Sequence, residues 1–200
     1  MYSRRYGDYR RHGISATWIL IGINVVVFVI TLVTPLITYD FGLVPRDLTS
    51  RPWIILTSMF IHNGFWHLFS NMLTLYFFGT MLSSIIGEKR YLAVYFIGGI
   101  VGGIFYTLLA VPDSIAIGAS GAIFALGGAL AVLRPNLTVY AFPIPVPMPL
   151  WVAVIGGFFL VSILFPRGIA WQAHLGGLIA GLAIGYIYRK PRRFYIRRRH

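Results

Sequence analysis

The chain has 200 residues, 58% of them hydrophobic and 11% charged, with a mean hydropathy of +0.77; a water-soluble fold of that composition would lack the polar surface to cover itself. The net charge of +12 could suit nucleic acid, but the basic residues flank long apolar runs and there face anionic lipid headgroups, which argues against a nucleic-acid partner. With no cysteine in the chain, disulfides and thiol chemistry are excluded and the redox compartment leaves no trace.

Six runs contain no Asp, Glu, Lys or Arg: 13–39, 52–87, 91–112, 114–133, 135–166 and 168–188. A helix needs about 20 apolar residues to cross a hydrocarbon core about 30 Å thick. The runs predict an all-α polytopic membrane protein with six transmembrane helices, the two longest runs holding extra non-spanning residues. This membrane domain, residues 16–188, lies between a basic segment, 1–15, and a basic tail, 189–200. Of the 17 Lys and Arg residues, 14 fall on the side of the termini and three (Arg46, Arg51 and Arg167) on the other. That distribution places both termini in the cytoplasm.

The first run is too long for the apolar region of a signal peptide, which makes it a retained span. In the second, Asn63-Gly64 signals a turn, so the span runs from near Phe65 to near Ile86 and residues 52–62 form an interfacial loop that includes His62. His67 and Asn71, four residues apart, then share one helical face. Pro112-Asp113 closes the third span. In the fourth, Gly118-Ala119-Ser120-Gly121 is too glycine-rich for mid-helix, and a helix starting near Ser120 has 14 residues before Arg134-Pro135. Such a helix is about 21 Å long, some 10 Å short of the core thickness. Ser120 is therefore expected below the outer surface, with residues 115–119 entering as irregular backbone that protein must bury or a wet cavity must solvate. A water-filled cavity opening outward follows. The proline-rich stretch 143–149 cannot be helix and reads as a stiff cytoplasmic linker before a fifth span, Leu150 to Phe165. The sixth span, starting near Gly168, holds His174 about 9 Å in, the depth at which Asn71 lies below Phe65. Trp18, Trp53, Trp66, Trp151 and Trp171 fall at span ends as belt anchors, and His12 and His200 lie in the solvated tails.

A serine hydroxyl becomes a nucleophile when a neighbouring base takes its proton, and a neutral histidine is such a base. Ser120 and His174 are the candidate pair. The tetrahedral intermediate needs donors, available from the Ser120 backbone N–H at a helix N-terminus and from the side chains of Asn71 and His67. All five acids (Asp8, Asp40, Asp47, Glu88 and Asp113) lie outside the spans or at their edges. That leaves a Ser–His dyad oriented by packing rather than a triad. There is no His-Glu-x-x-His for zinc and no pair of membrane-embedded aspartates, so neither a metal nor an aspartyl mechanism is expected, and no cofactor. Taken alone, a serine among glycines also serves close helix packing, as Gly98, Gly99, Gly102, Gly103, Gly127, Gly128, Gly177, Gly181 and Gly185 do. An intramembrane histidine equally suits proton transport. The shared depth of Ser120, His174, Asn71 and His67 favours the hydrolytic reading.

His67-Leu68-Phe69-Ser70-Asn71, Gly118-Ala119-Ser120-Gly121 and Ala173-His174-Leu175-Gly176-Gly177, in that order on the second, fourth and sixth spans, resemble the signature segments of rhomboid intramembrane serine proteases. The resemblance covers nearly the whole chain. It implies Ser120 as nucleophile, His174 as general base, Asn71 and His67 in the oxyanion hole, and Gly118 and Gly121 in supporting positions. Phe124 stands where many relatives carry a tyrosine packed on the histidine; it keeps the stacking and loses the hydroxyl. Two positions depart from the family pattern: Ile54 follows Trp53 where arginine is usual, and Ser83 stands four residues after Gly79 where glutamate is frequent.

The expected function is cleavage of transmembrane segments of other membrane proteins near their outer ends. A substrate helix must unwind to present a scissile carbonyl, which favours segments rich in Gly, Pro or small residues. The resemblance adds small residues before the cut and lateral entry past the fifth span, with residues 165–171 as a cap over the site. The rivals are a non-proteolytic relative that binds membrane clients, whose members generally lack the serine, the histidine or both, and a small proton-coupled transporter, for which an internal repeat would be expected.

Overall fold

The apolar runs become helices wherever caps and turns allow, and among the described residues six helices of 14 or more residues carry the fold: α1 Ala16–Val33, α2 Phe65–Ile86, α3 Glu88–Leu109, α4 Ser120–Leu133, α5 Leu150–Leu164 and α6 Trp171–Tyr188. The computed structural model describes residues 15–140, 146–164 and 169–189. The basic N-terminal segment, most of the basic tail, Arg167 and part of the expected cap loop lie outside the described residues. By length and composition α1, α2 and α3 are each able to cross a membrane, and the protein is an integral membrane protein.

In lipid, helices associate through close packing rather than through the hydrophobic effect, so small residues mark the interfaces. α4, built from Gly, Ala, Ile, Leu and Val around one serine and one phenylalanine, has ten of its 14 residues buried. It is the central helix, packed most heavily on α6 and α3 and less on α2 and α5. A Cβ at Gly177 or Gly181 of α6 would collide with the backbone of Gly121 or Ala125 of α4, so only glycine permits this approach. α1 is peripheral. Its buried residues Ala16, Thr17, Leu20, Asn24 and Thr31 form one narrow stripe, and most of its surface faces outward.

The second span runs from Phe65 to Ile86, the bounds the Asn63-Gly64 turn predicts, with Gly64 and Gly87 both at positive φ at its ends. The fourth starts at Ser120 and is 14 residues long. Three readings need correction. The sixth helix begins at Trp171, not near Gly168, because Ala170 is non-helical (φ −74°, ψ 66°) and packs with Ala173 against the buried group of Leu43, Ile54, Tyr106 and Ala116. His174 therefore sits in its first turn. The segment 52–62 is not plain loop, since Ile54–Thr57 and Ser58–Phe60 are helical turns. Finally, the described end of the proline-rich stretch is no free linker: Pro147–Pro149 pairs antiparallel with Thr138–Tyr140, Val139 facing Met148. The Leu150 N–H donates to the Leu137 carbonyl at 2.7 Å. Strand alternation then puts Pro147 and Pro149 in pairs that need no N–H, so the prolines fit. Residues 143–145 lie outside the described residues.

The surroundings of the two positions that depart from the family pattern are as follows. Arg51, two residues before Trp53, donates to the Tyr39 carbonyl at 3.3 Å and pairs with Asp47, while Ile54 is fully buried. Among the described residues the Ser83 hydroxyl bonds only back to its own helix, at the Thr80 carbonyl. Glu88, at the start of α3, accepts the Ala16 N–H on its carboxylate at 3.2 Å and so caps the start of α1.

Candidate active site

Three helix starts converge on one point. Gly64, at φ 89°, turns the chain into α2, and the Asn63 N–H donates to His67 Nδ1 at 3.3 Å. A neutral imidazole that accepts at Nδ1 carries its proton on Nε2. One turn on, Asn71 is buried and donates from Nδ2 to the His67 carbonyl at 2.8 Å.

The entry to α4 is irregular backbone, as its length requires, and protein satisfies it. Leu43 and Ala116 exchange both N–H···O bonds (3.0 and 2.9 Å), and the Gly118 N–H donates to the Ser58 carbonyl at 2.9 Å. Gly118 has φ 115°, a region closed to most side chains, and a Cβ there would lie 2.8 Å from His67 Nε2. Glycine thus lets His67 stand against the turn that delivers Ser120. Ser120 opens α4, where the unpaired N–H groups of the first turn concentrate positive potential.

α6 closes the site. Its approach to α4 at Gly121 and Gly177 carries His174 to Ser120, and His174 Nε2 lies 2.7 Å from Ser120 Oγ. His174 is buried, and its Nδ1 has no hydrogen-bond partner among the described residues. Among the described residues no carboxylate bonds it; the Phe124 ring packs against it, 4.7 Å away and tilted 31°. Phe158 of α5 meets Phe124 edge-on at 5.9 Å. Among the described residues, no group of three or more His, Cys, Asp or Glu side chains could hold a metal ion.

Above the pair lies a cavity of about 630 Å³, lined by His67, Asn71, Ser120 and His174 and continuing between Thr74 and Phe78 of α2 and Ala153 and Gly157 of α5. The arrangement can do acyl transfer: a hydroxyl beside a base, donors around the same point, and room for a chain and water. All of Ser120, His174, Asn71, His67, Gly118, Gly121 and Phe124 come together. His62, read as interfacial from the sequence, is instead 3% exposed. Its Nε2 accepts the Ala119 N–H at 3.5 Å. The signal was its place just before the Asn63-Gly64 turn, which folds it back under His67, the two rings 5.0 Å apart. Desolvation lowers its pKa to about 4, helped by His67 and opposed by the Phe60 carbonyl.

A family model described as Rhomboid domain matches residues 49–191. Rhomboid protein 1, mitochondrial, of Saccharomyces cerevisiae is 32% identical over 197 residues, which cover 91% of this chain and 56% of that protein. RHOMBOID-like protein 2 of Arabidopsis thaliana is 36% identical over 140 residues, 68% of this chain and 42% of its own. The rhomboid protein YdcA of Bacillus subtilis is 31% identical over 147 residues, 71% of each chain. The chain spans about half the length of the yeast and plant relatives.

Proposed function

The chain belongs to the rhomboid family, and on that premise we propose that it is a serine endopeptidase cleaving transmembrane segments of other membrane proteins. The observation that carries this reading is the 2.7 Å contact of Ser120 Oγ and His174 Nε2 in the lining of the cavity. His174 takes the hydroxyl proton as Ser120 Oγ attacks the scissile carbonyl, then gives it to the leaving amine. The oxyanion is held by the Ser120 N–H, by the Nε2–H of His67 and by the second Nδ2–H of Asn71. Water entering through the cavity, deprotonated by His174, hydrolyses the acyl-enzyme and frees Ser120.

The same reading takes all six helices as spans, both termini as cytoplasmic and the cavity as opening to the outer side. α4 is too short to cross alone, which sets Ser120 below the surface, where the first connection buries the entering backbone. A substrate helix enters between α2 and α5, α5 acting as the gate, and unwinds to reach Ser120. The partners are thus membrane-protein substrates and the bilayer. Retention of both Ser120 and His174 weighs against the non-proteolytic client-binding alternative, and the dyad contact against a proton-coupled transporter.

The test is incubation of purified protein with a transmembrane substrate alongside Ser120→Ala and His174→Ala. Cleavage is expected only with wild type, and a fluorophosphonate should label Ser120. Equal cleavage by wild type and Ser120→Ala would sink the assignment.

A further inference from the structure

The turn that delivers Ser120 is held from below by a residue the mechanism does not use. His62 is buried, and its Nε2 accepts the Ala119 N–H at 3.5 Å. Its Nδ1 has no hydrogen-bond partner among the described residues. The imidazole ring is wedged edge-on against His67, 5.0 Å away at 61°. Burying an imidazole with one unmet donor is costly, so the side chain is poorly explained as filler.

What it holds is a peptide plane. The Ala119 N–H belongs to the Gly118–Ala119 peptide, preceded by the positive φ of Gly118. A peptide flanked by glycine rotates at little cost. Rotation would turn the Ala119 N–H away from His62 and swing the Gly118 carbonyl to the opposite side, disturbing the adjacent Ser120 amide and the glycine surface against His67. An imidazole accepting at Nε2 blocks that rotation.

We propose that His62 is a positioning residue: by accepting the Ala119 N–H it locks the Gly118–Ala119 peptide and holds the Ser120 amide and His67 Nε2 in register as oxyanion donors. The catalytic part of this role rests on the reading of Ser120 as nucleophile; the lock itself does not.

The experiment uses the full chain in detergent micelles with His62→Gln, His62→Asn and His62→Ala. Glutamine can bring its side-chain oxygen to the place of Nε2, whereas asparagine falls short. Hydrogen exchange of the Ala119 amide, read by NMR, should stay slow in wild type and His62→Gln and become fast in His62→Asn and His62→Ala. Ser120-dependent cleavage should follow the same order, with kcat about 100-fold lower in the Asn and Ala variants and KM nearly unchanged. Equal behaviour of Gln and Asn, or an Ala119 amide still protected in His62→Ala, overturns the proposal. If wild type cleaves no better than Ser120→Ala, the protease reading fails while the exchange data still decide the role of His62.

Discussion

The ring of Phe124 lies 4.7 Å from that of His174, tilted by 31°, and takes the orienting place that a carboxylate fills in a triad. Nothing hydrogen-bonds His174 Nδ1 among the described residues, so ring packing is what keeps Nε2 on Ser120. Phe124→Leu is expected to lower kcat about 10- to 100-fold with KM little changed, because a misaimed base loses general-base catalysis and not binding. Phe124→Tyr keeps the stacking and should stay near wild type. Steady-state kinetics on a transmembrane substrate separate the two; a large rise in KM with kcat unchanged in Phe124→Leu would contradict this.

Gly177 determines how closely α6 approaches α4. A Cβ there would strike the Gly121 backbone, which a rotamer change cannot relieve. Gly177→Ala is expected to destabilise the bundle by about 1–3 kcal/mol, the cost of overpacking, and to abolish fluorophosphonate labelling of Ser120 by drawing His174 away. Gly22, where an added methyl would meet nothing within 4 Å, is the control: Gly22→Ala should leave stability undiminished. Unfolding of both variants in mixed micelles is the measurement, and a Gly177→Ala protein as stable as wild type would refute the packing argument.

What is legible in the sequence and what is hidden differ by the range of the interaction. Charge-free runs, the Asn63-Gly64 turn and the glycine cluster at Ser120 are local signals, and they place α2 and α4 at their observed starts. Ser120 and His174, 54 residues apart, are paired through helix geometry and the family resemblance. Contacts made by folding the first connection over the entry to α4 are not legible. The burial of His62, the Leu43–Ala116 bridge and the bond from Arg51 to the Tyr39 carbonyl all depend on that connection. The hairpin at Pro147–Pro149 is hidden because proline composition argues against strand until the register shows which N–H groups the ladder needs.

Acid should weaken the fold through His62. Its pKa is lowered from 6.5 to about 4, chiefly by desolvation, so the folded state binds this proton less readily than the unfolded chain. The stabilisation from keeping it neutral is fully present above pH 6.5. It is lost progressively as pH falls toward about 4, by about 3 kcal/mol in all. His62→Gln, which cannot titrate, should flatten that part of the stability profile. Unfolding free energies at pH 7 and pH 4.5 for both proteins are the check, and identical pH dependence would remove His62 as its source.

The cavity is lined by Thr74 of α2 and Gly157 of α5, and among the described residues α2 and α5 share no substantial packing. Unlike the interface glycines of α3 and α6, Gly156 and Gly157 have open space where a Cβ would project, with nothing within 4 Å. Each costs about 1 kcal/mol of helix propensity relative to alanine without any packing return, and paired glycines are a common bending point. The N-terminal end of α5 is fixed by the hairpin and by Val154 against Gly127, so bending would move its C-terminal half, with Phe158, away from Phe124. Because the chain has no cysteine, a Thr74→Cys, Gly157→Cys pair can be bridged selectively by a short bismaleimide. Bridging is expected to stop cleavage of a transmembrane substrate while a small fluorophosphonate, which needs no opening between α2 and α5, still labels Ser120. Cleavage unaffected by the bridge would rule out entry between α2 and α5, and loss of both signals would mean that the bridge distorts the dyad itself.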